Sequence, residues 1–273
     1  MSVKNILAVY SGLESKKSGL LYAIKLANLT GAWITGALGH DGKPIAEERF
    51  KSRLPSYILK EIHEIDVKHI EDIVNRFETT LKEHDLLDRS TFYDLEKSEV
   101  KDMSALARAF DLVIMGPHSK DEKDSHLSAY PDRVALQSGR PVLIVPNDYV
   151  SEDLASHALV AWDGKRASAR ALADAMSILE NKPKLTILSV GEKPLPGTDI
   201  LLTSLERHGA DANLLMKRVN FSIANTILET AEEINSQLIV MGAYEHSKFA
   251  QDIFGGVTHS VIKETKIPVL LSH

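Results

Sequence analysis

Two hexapeptides decide the fold: "DLVIMG" at 111–116 and "QLIVMG" at 237–242. Each is a polar residue, four apolar residues rich in β-branched side chains, and a glycine. Continuous apolar runs of this length suit strands covered on both faces by helices, which is the situation in a parallel sheet. Each run is followed, 25 or 26 positions after its glycine, by a proline that opens another apolar run, "PVLIVP" from Pro141 and "PVLLS" from Pro268. The chain therefore contains the same closing passage twice.

Working outward, each half also opens alike. "NILAVYSG" (5–12) and "HALVAWDG" (157–164) are short apolar runs ended by a glycine and followed by helical spacing, with Leu20, Leu21, Ile24, Leu26 and Ala27 in the first case. "AWITGALG" (32–39) and "KLTILSV" (184–190) read as second strands, and "STFYDLE" (90–96) as a third. A helix is expected over 98–110 with a serine at its start, and another from Pro131 to Gly139. "RVNFSIANTILETAEEINSQLIV" (218–240) reads as strand, link, helix and strand, with Ile223, Ile227, Ala231 and Ile234 as a core stripe. Strand and helix alternate throughout, which implies parallel pairing with helices on both faces.

The halves differ in one respect. Gly12 and Gly164 are 152 positions apart, whereas Gly116 and Gly242 are 126 apart, so the first half holds about a helix's worth of extra chain between its second and third strands. That chain carries Ile58, Ile62, Ile65, Ile70, Ile73, Val74 and Phe77 at helical spacing, with Pro55 in the expected first turn. The boundary between halves is placed in the polar stretch 147–156, giving units 1–148 and 156–273.

Composition narrows the function. The 273 residues are 44% hydrophobic and 26% charged, ordinary for a globular chain. Lys and Arg number 32 against 38 Asp and Glu, a formal charge of −6, which argues against general binding to nucleic-acid backbone. Without cysteine there is no disulfide, thiolate metal site or cysteine nucleophile. The apolar run at the N-terminus is too short for a signal-peptide core or a membrane span, so a cytoplasmic protein without membrane contact is expected. Histidines are dispersed, with no HExxH or His-x-His, and neither a metal site nor a catalytic Ser, His and Asp set is visible.

The stretch "VMGAYEHSKFAQDIFGGVTHSV" (240–261) carries the candidate site. A strand ends in glycine, a polar loop follows, and Gly255–Gly256 opens a helix whose first amides, those of Val257 and Thr258, suit an anion. With "VAWDG" and "IPVLLSH", this arrangement resembles the universal stress protein family, and in particular its tandem members. The resemblance implies two tandem Rossmann-like domains of the α/β class, each a five-stranded parallel open sheet flanked by helices, the last strand of each lying at a sheet edge. It implies an adenine nucleotide, ATP with magnesium, as ligand, and a stress-response or regulatory role without efficient catalysis. It also implies a homodimer, or a pseudo-dimer within one chain.

Carried over residue by residue, the implied site is Asp163 and Gly164 after the first strand of the second half, Val190 after its second, and Met241, Gly242, His246, Gly255, Gly256, Val257 and Thr258. Two departures weaken it. Glu245 stands where the family has glycine, and Gly256 where it has Ser or Thr. Loss of the hydroxyl removes roughly 1.5–3 kcal/mol, while a carboxylate about 4 Å from a phosphate repels it by up to ~4 kcal/mol at an effective dielectric near 20. In the first half Ser11 replaces the aspartate and no glycine-rich partner follows Gly116, so that site reads as lost or repurposed. Asp163 also has a plainer reading, as the cap of the helix beginning near Lys165. A nucleotide-independent interaction module and a slow nucleotide hydrolase are the competing functions.

Overall fold

The computed structural model describes residues 3–12, 17–40, 55–118, 127, 129–150, 155–179, 182–243 and 256–273. The first half contains β1 (Asn5–Val9), α1 (Lys17–Thr30), β2 (Trp33–Leu38), α2 (Ser56–Glu83), β3 (Ser90–Asp94), α3 (Met103–Ala107), β4 (Leu112–Met115), α4 (Pro131–Ser138) and β5 (Val142–Ile144). The second contains β6 (His157–Ala161), α5 (Arg166–Ala175), β7 (Lys184–Val190), α6 (Thr198–Arg207), β8 (Asp211–Lys217), α7 (Ile223–Glu233), β9 (Leu238–Gly242), α8 (Val257–Glu264) and β10 (Val269–Ser272).

The strand order is β3-β2-β1-β4-β5-β10-β9-β6-β7-β8. Each half is thus a parallel set with the same internal order. The sheets, expected to end openly at their last strands, instead join: β5 and β10 pair antiparallel, with Leu143 opposite Leu270, and give one mixed, largely parallel ten-stranded sheet. Both strands are buried along their whole length. Pairing them satisfies backbone groups that an open apolar edge would leave exposed to unwanted partners. Alternation along the strands then builds two apolar layers that run through both halves. Ile6, Ala8, Leu143, Val160, Val240 and Leu270 lie in one, and Leu7, Val142, Leu159, Ile239, Val269 and Leu271 in the other.

Local signals account for most helix ends, with four corrections. Pro131 begins α4, and Gly139 ends it in the left-handed conformation at φ 68°. Pro55, expected in the first turn of α2, is the residue just before it, and the extra chain forms one unbroken 28-residue helix. The helix expected from Ser98 starts at Met103, because Asp102 is the cap that engages: its Oδ2 accepts the Ala105 amide at 2.8 Å. The third strand of the second half lies at Asp211–Lys217 rather than in "RVNF", and α6 before it was not anticipated. Of the proposed stripe on α7, Ile227 and Ala231 are buried and Ile234 packs beside them, whereas Ile223 is exposed; Ala224, Thr226 and Thr230 are the other buried residues of the helix. At the start of β6, His157 is held below the ordinary imidazole value by desolvation and then by Lys184.

Candidate functional site

Parallel strands bring β6, β7, β8 and β9 to a common carboxyl edge, the usual place for ligands in an open α/β sheet. Asp163 stands two residues beyond β6. Its Oδ1 accepts the Lys165 amide at 3.0 Å and the Ser168 hydroxyl at 2.6 Å, and Lys165 Nζ lies 3.9 Å from Oδ2. The capping position of α5 is Lys165, so Asp163 is not the cap; its carboxylate braces the start of the helix from two residues upstream while half of the side chain stays exposed. Gly164 beside it is left-handed, at φ 72°, and a Cβ there would lie 3.3 Å from Leu195.

Gly242 closes β9 next to this bracing. A Cβ at Gly242 would lie 2.7 Å from the Ser168 amide nitrogen and 2.8 Å from the Ala167 carbonyl carbon. The glycine therefore lets the first turn of α5 sit directly on β9. That contact puts Gly242, Ser168 and Asp163 together. Val190 ends β7 half-buried, and the Gly191 amide donates to Lys217 O at 2.8 Å. Met241 is 4% exposed and its side chain belongs to the core, opposite Leu271.

At α8, Gly256 is the capping residue, exposed, at φ 152° and ψ 179°, a conformation that is nearly exclusive to glycine. Its carbonyl accepts the first intrahelical bond, from Ser260. Helix geometry leaves the preceding amides, including those of Val257 and Thr258, without an intrahelical acceptor. Val257 is half-buried and the Thr258 side chain buried. Glu245, His246 and Gly255 lie outside the described residues.

The first half has the corresponding edge, but α2 covers it. Gly12 matches Gly164 in conformation, at φ 75°, yet a Cβ there would lie 2.5 Å from Ile73 Cγ1, and Arg76 Nη1 donates to Gly12 O at 3.0 Å. Phe77 packs against Tyr10 and, edge-on at 5.1 Å, Phe92. Ser11, in the aspartate position, is buried with no hydrogen-bond partner on Oγ among the described residues. The inserted helix thus occupies the crevice above β1 and β2 with its own side chains.

Sequence reasoning missed two pairs. Ser168 connects Asp163 to β9, and its signal was a hydroxyl in the first turn of the following helix. His40 Nε2 meets Asp94 Oδ1 at 2.6 Å, tying the ends of β2 and β3; nothing in the spacing of 54 residues announces it. Among the described residues, no group of three His, Cys, Asp or Glu side chains could hold a metal ion, and no helix is long and apolar enough to cross a membrane.

Comparison with known proteins bears on these residues. The universal stress protein family model matches residues 155–273. A universal stress protein of Synechocystis sp. is 26% identical over 172 residues, covering 59% of this chain; the chain spans 57% of that relative's length. The solved universal stress protein of Archaeoglobus fulgidus DSM 4304 superimposes with a TM-score of 0.74 at 18% identity, over 99% of this chain and 96% of that one. A functionally unknown Pseudomonas aeruginosa PAO1 protein gives 0.58 at 14% identity, over 99% and 92%. The structural likenesses extend the same fold over both halves, and residues 155–273 are the part of the chain that matches the universal stress protein family model.

Proposed function

We propose that this chain is a tandem universal stress protein, with domains 1–148 and 156–273, that binds one adenine nucleotide weakly at the carboxyl edge of its second half. The observation that carries this reading is the asymmetry between two equivalent crevices: the one at Gly12 is filled by Ile73 and Arg76, while at Gly164 the neighbour is Leu195 and Asp163 keeps a half-exposed carboxylate. The donor set suits the ligand. Asp163 would take ribose hydroxyls, the backbone after Val190 the base, and the first amides of α8 a phosphate. Magnesium, arriving with the nucleotide, would supply charge neutralisation at the phosphates. No nucleophile or general base is assigned, so hydrolysis is slow at most. A cytoplasmic regulatory role, with homodimerisation as a second level of assembly, belongs to the same proposal.

Calorimetric titration with ATP, ADP and AMP, with and without magnesium, tests it. Saturable binding is expected; absence of heat at millimolar nucleotide leaves the nucleotide-independent interaction module. Glu245→Gly is expected to tighten ATP more than AMP, because repulsion grows with phosphate charge. Removing up to ~4 kcal/mol of repulsion, reduced by solvent screening, gives a gain of about tenfold to a hundredfold. Unchanged ATP affinity would discard the electrostatic account.

A further inference from the structure

The sheet joins its halves by pairing β5 with β10, yet it still ends in two edge strands, β3 and β8. They are not alike. β3 is five residues long, and its last, Asp94, is engaged by His40 at 2.6 Å and by Lys97 Nζ at 3.5 Å. β8 is seven residues, "DANLLMK", in one-to-one register with β7 from Asp211 to Lys217, so no bulge turns it away from a neighbour. It holds no proline, and only its two terminal residues are charged. Ala212, Leu214, Leu215 and Met216 are half-buried, and among the described residues no strand lies on their outer side. The usual devices that keep an edge from pairing with another chain are missing along its middle.

The direction of its backbone groups is fixed at both ends. The Asp211 amide donates to Pro183 O at 2.9 Å, and Lys217 O accepts the Gly191 amide at 2.8 Å. Both residues therefore turn their backbone toward β7, and by the alternation of a strand so do Asn213 and Leu215. Ala212, Leu214 and Met216 turn theirs outward, in a row whose midpoint is Leu214. Such a row is matched by its own copy run antiparallel: Leu214 exchanges hydrogen bonds with Leu214, and Ala212 with Met216 in both directions. The same register sets Asp211 opposite Lys217 at each end, in the non-hydrogen-bonded positions where facing side chains come closest. Lys217 Nζ holds Glu233 Oε2 of its own chain at 2.6 Å, and an ammonium has donors left for a second carboxylate. We propose that β8 is the surface on which a second copy of this chain docks, edge to edge and antiparallel about Leu214, giving a two-fold dimer with one sheet running through both copies. The inference rests on the homodimer in the reading above, and not on its nucleotide.

Sedimentation velocity of the ligand-free chain over a range of protein concentrations tests it, with melting temperatures to confirm that each variant is folded. Asp211→Lys sets two lysines opposite each other across the pairing, and Lys217→Glu sets two carboxylates. Each is expected to weaken the dimer about tenfold or more, because like charges in facing positions repel. An equimolar mixture of the two variants restores opposite charges at both ends of the register and is expected to recover dimers. Ala212→Pro removes an outward N–H and none that β7 uses, so it is expected to weaken the dimer while the chain stays folded. A wild-type chain that remains monomeric overturns the inference, as does a dimer indifferent to all three substitutions. Charge variants that stay monomeric on mixing overturn it as well, since the charges would then be acting within one chain. ATP titration reads the nucleotide proposal independently: dimers of this register in a chain that binds no ATP would retire that proposal and leave the interface standing.

Discussion

Replacing Phe77 by alanine is expected to lower the unfolding free energy by about 4 kcal/mol, read as a fall in the urea midpoint at unchanged slope. The ring is fully buried on the face of α2 that also carries Ile70, Ile73 and Leu81, and it lies between Tyr10 of the first-strand region and Phe92 of β3. Beneath it is Gly36, where even a Cβ would fall 2.7 Å from the ring and 2.5 Å from Phe92. The floor is therefore backbone, and β2 is fixed by pairing on both sides. Neither floor nor helix can collapse into the space left by the ring, so the full cavity penalty applies. Against a typical total of about 5–15 kcal/mol, the variant retains little margin. A loss below about 1 kcal/mol would show that α2 does not roof the first-half crevice.

Gly242→Ala is expected to cost about 3 kcal/mol, the upper part of the range for overpacking. The added methyl would meet the backbone of Ala167 and Ser168 rather than the tip of a flexible side chain. β9 cannot give way, because it pairs with β6 on one side and β10 on the other. The first turn of α5 must move instead, and with it the Ser168 hydroxyl that holds Asp163. The stability loss is expected without any nucleotide present, measured by thermal or urea unfolding of the ligand-free protein. If Gly242 serves only the approach of a phosphate, ligand-free stability will be unchanged and affinity alone will fall.

The parts of the fold that were legible in the chain are those whose environment is uniform. β4 and β9 lie between two strands and beneath helices on both faces, so their sequences reduce to apolar runs. β8 was misplaced because it lies at the edge of the sheet and is partly exposed along its length. The start of α3 depended on a choice between Ser98 and Asp102, both good caps, which tertiary packing decides. The junction of β5 with β10 was beyond local reading, since pairing of two distant apolar strands leaves no mark on either one.

The site divides in the same way. Asp163 and Gly242 stand out by their places at strand ends, but the reason for Gly242 is a helix resting on it, which spacing does not reveal. The hydrophobic stripe of α2 was visible from Ile58 to Phe77; that Ile73 covers Gly12 was not, because the stripe does not name the surface it meets. Ser168 acquires meaning only through a partner 5 residues away.

The central claim is that one of two equivalent crevices is open to a nucleotide and the other is closed by the chain itself. Its most direct test is the stoichiometry of ATP at saturation, in the wild-type chain and in Asp163→Ala, with melting temperatures to confirm that both remain folded. The account predicts a single equivalent per wild-type chain, abolished or greatly weakened in the variant. Two equivalents per chain, or an affinity indifferent to Asp163, would contradict it.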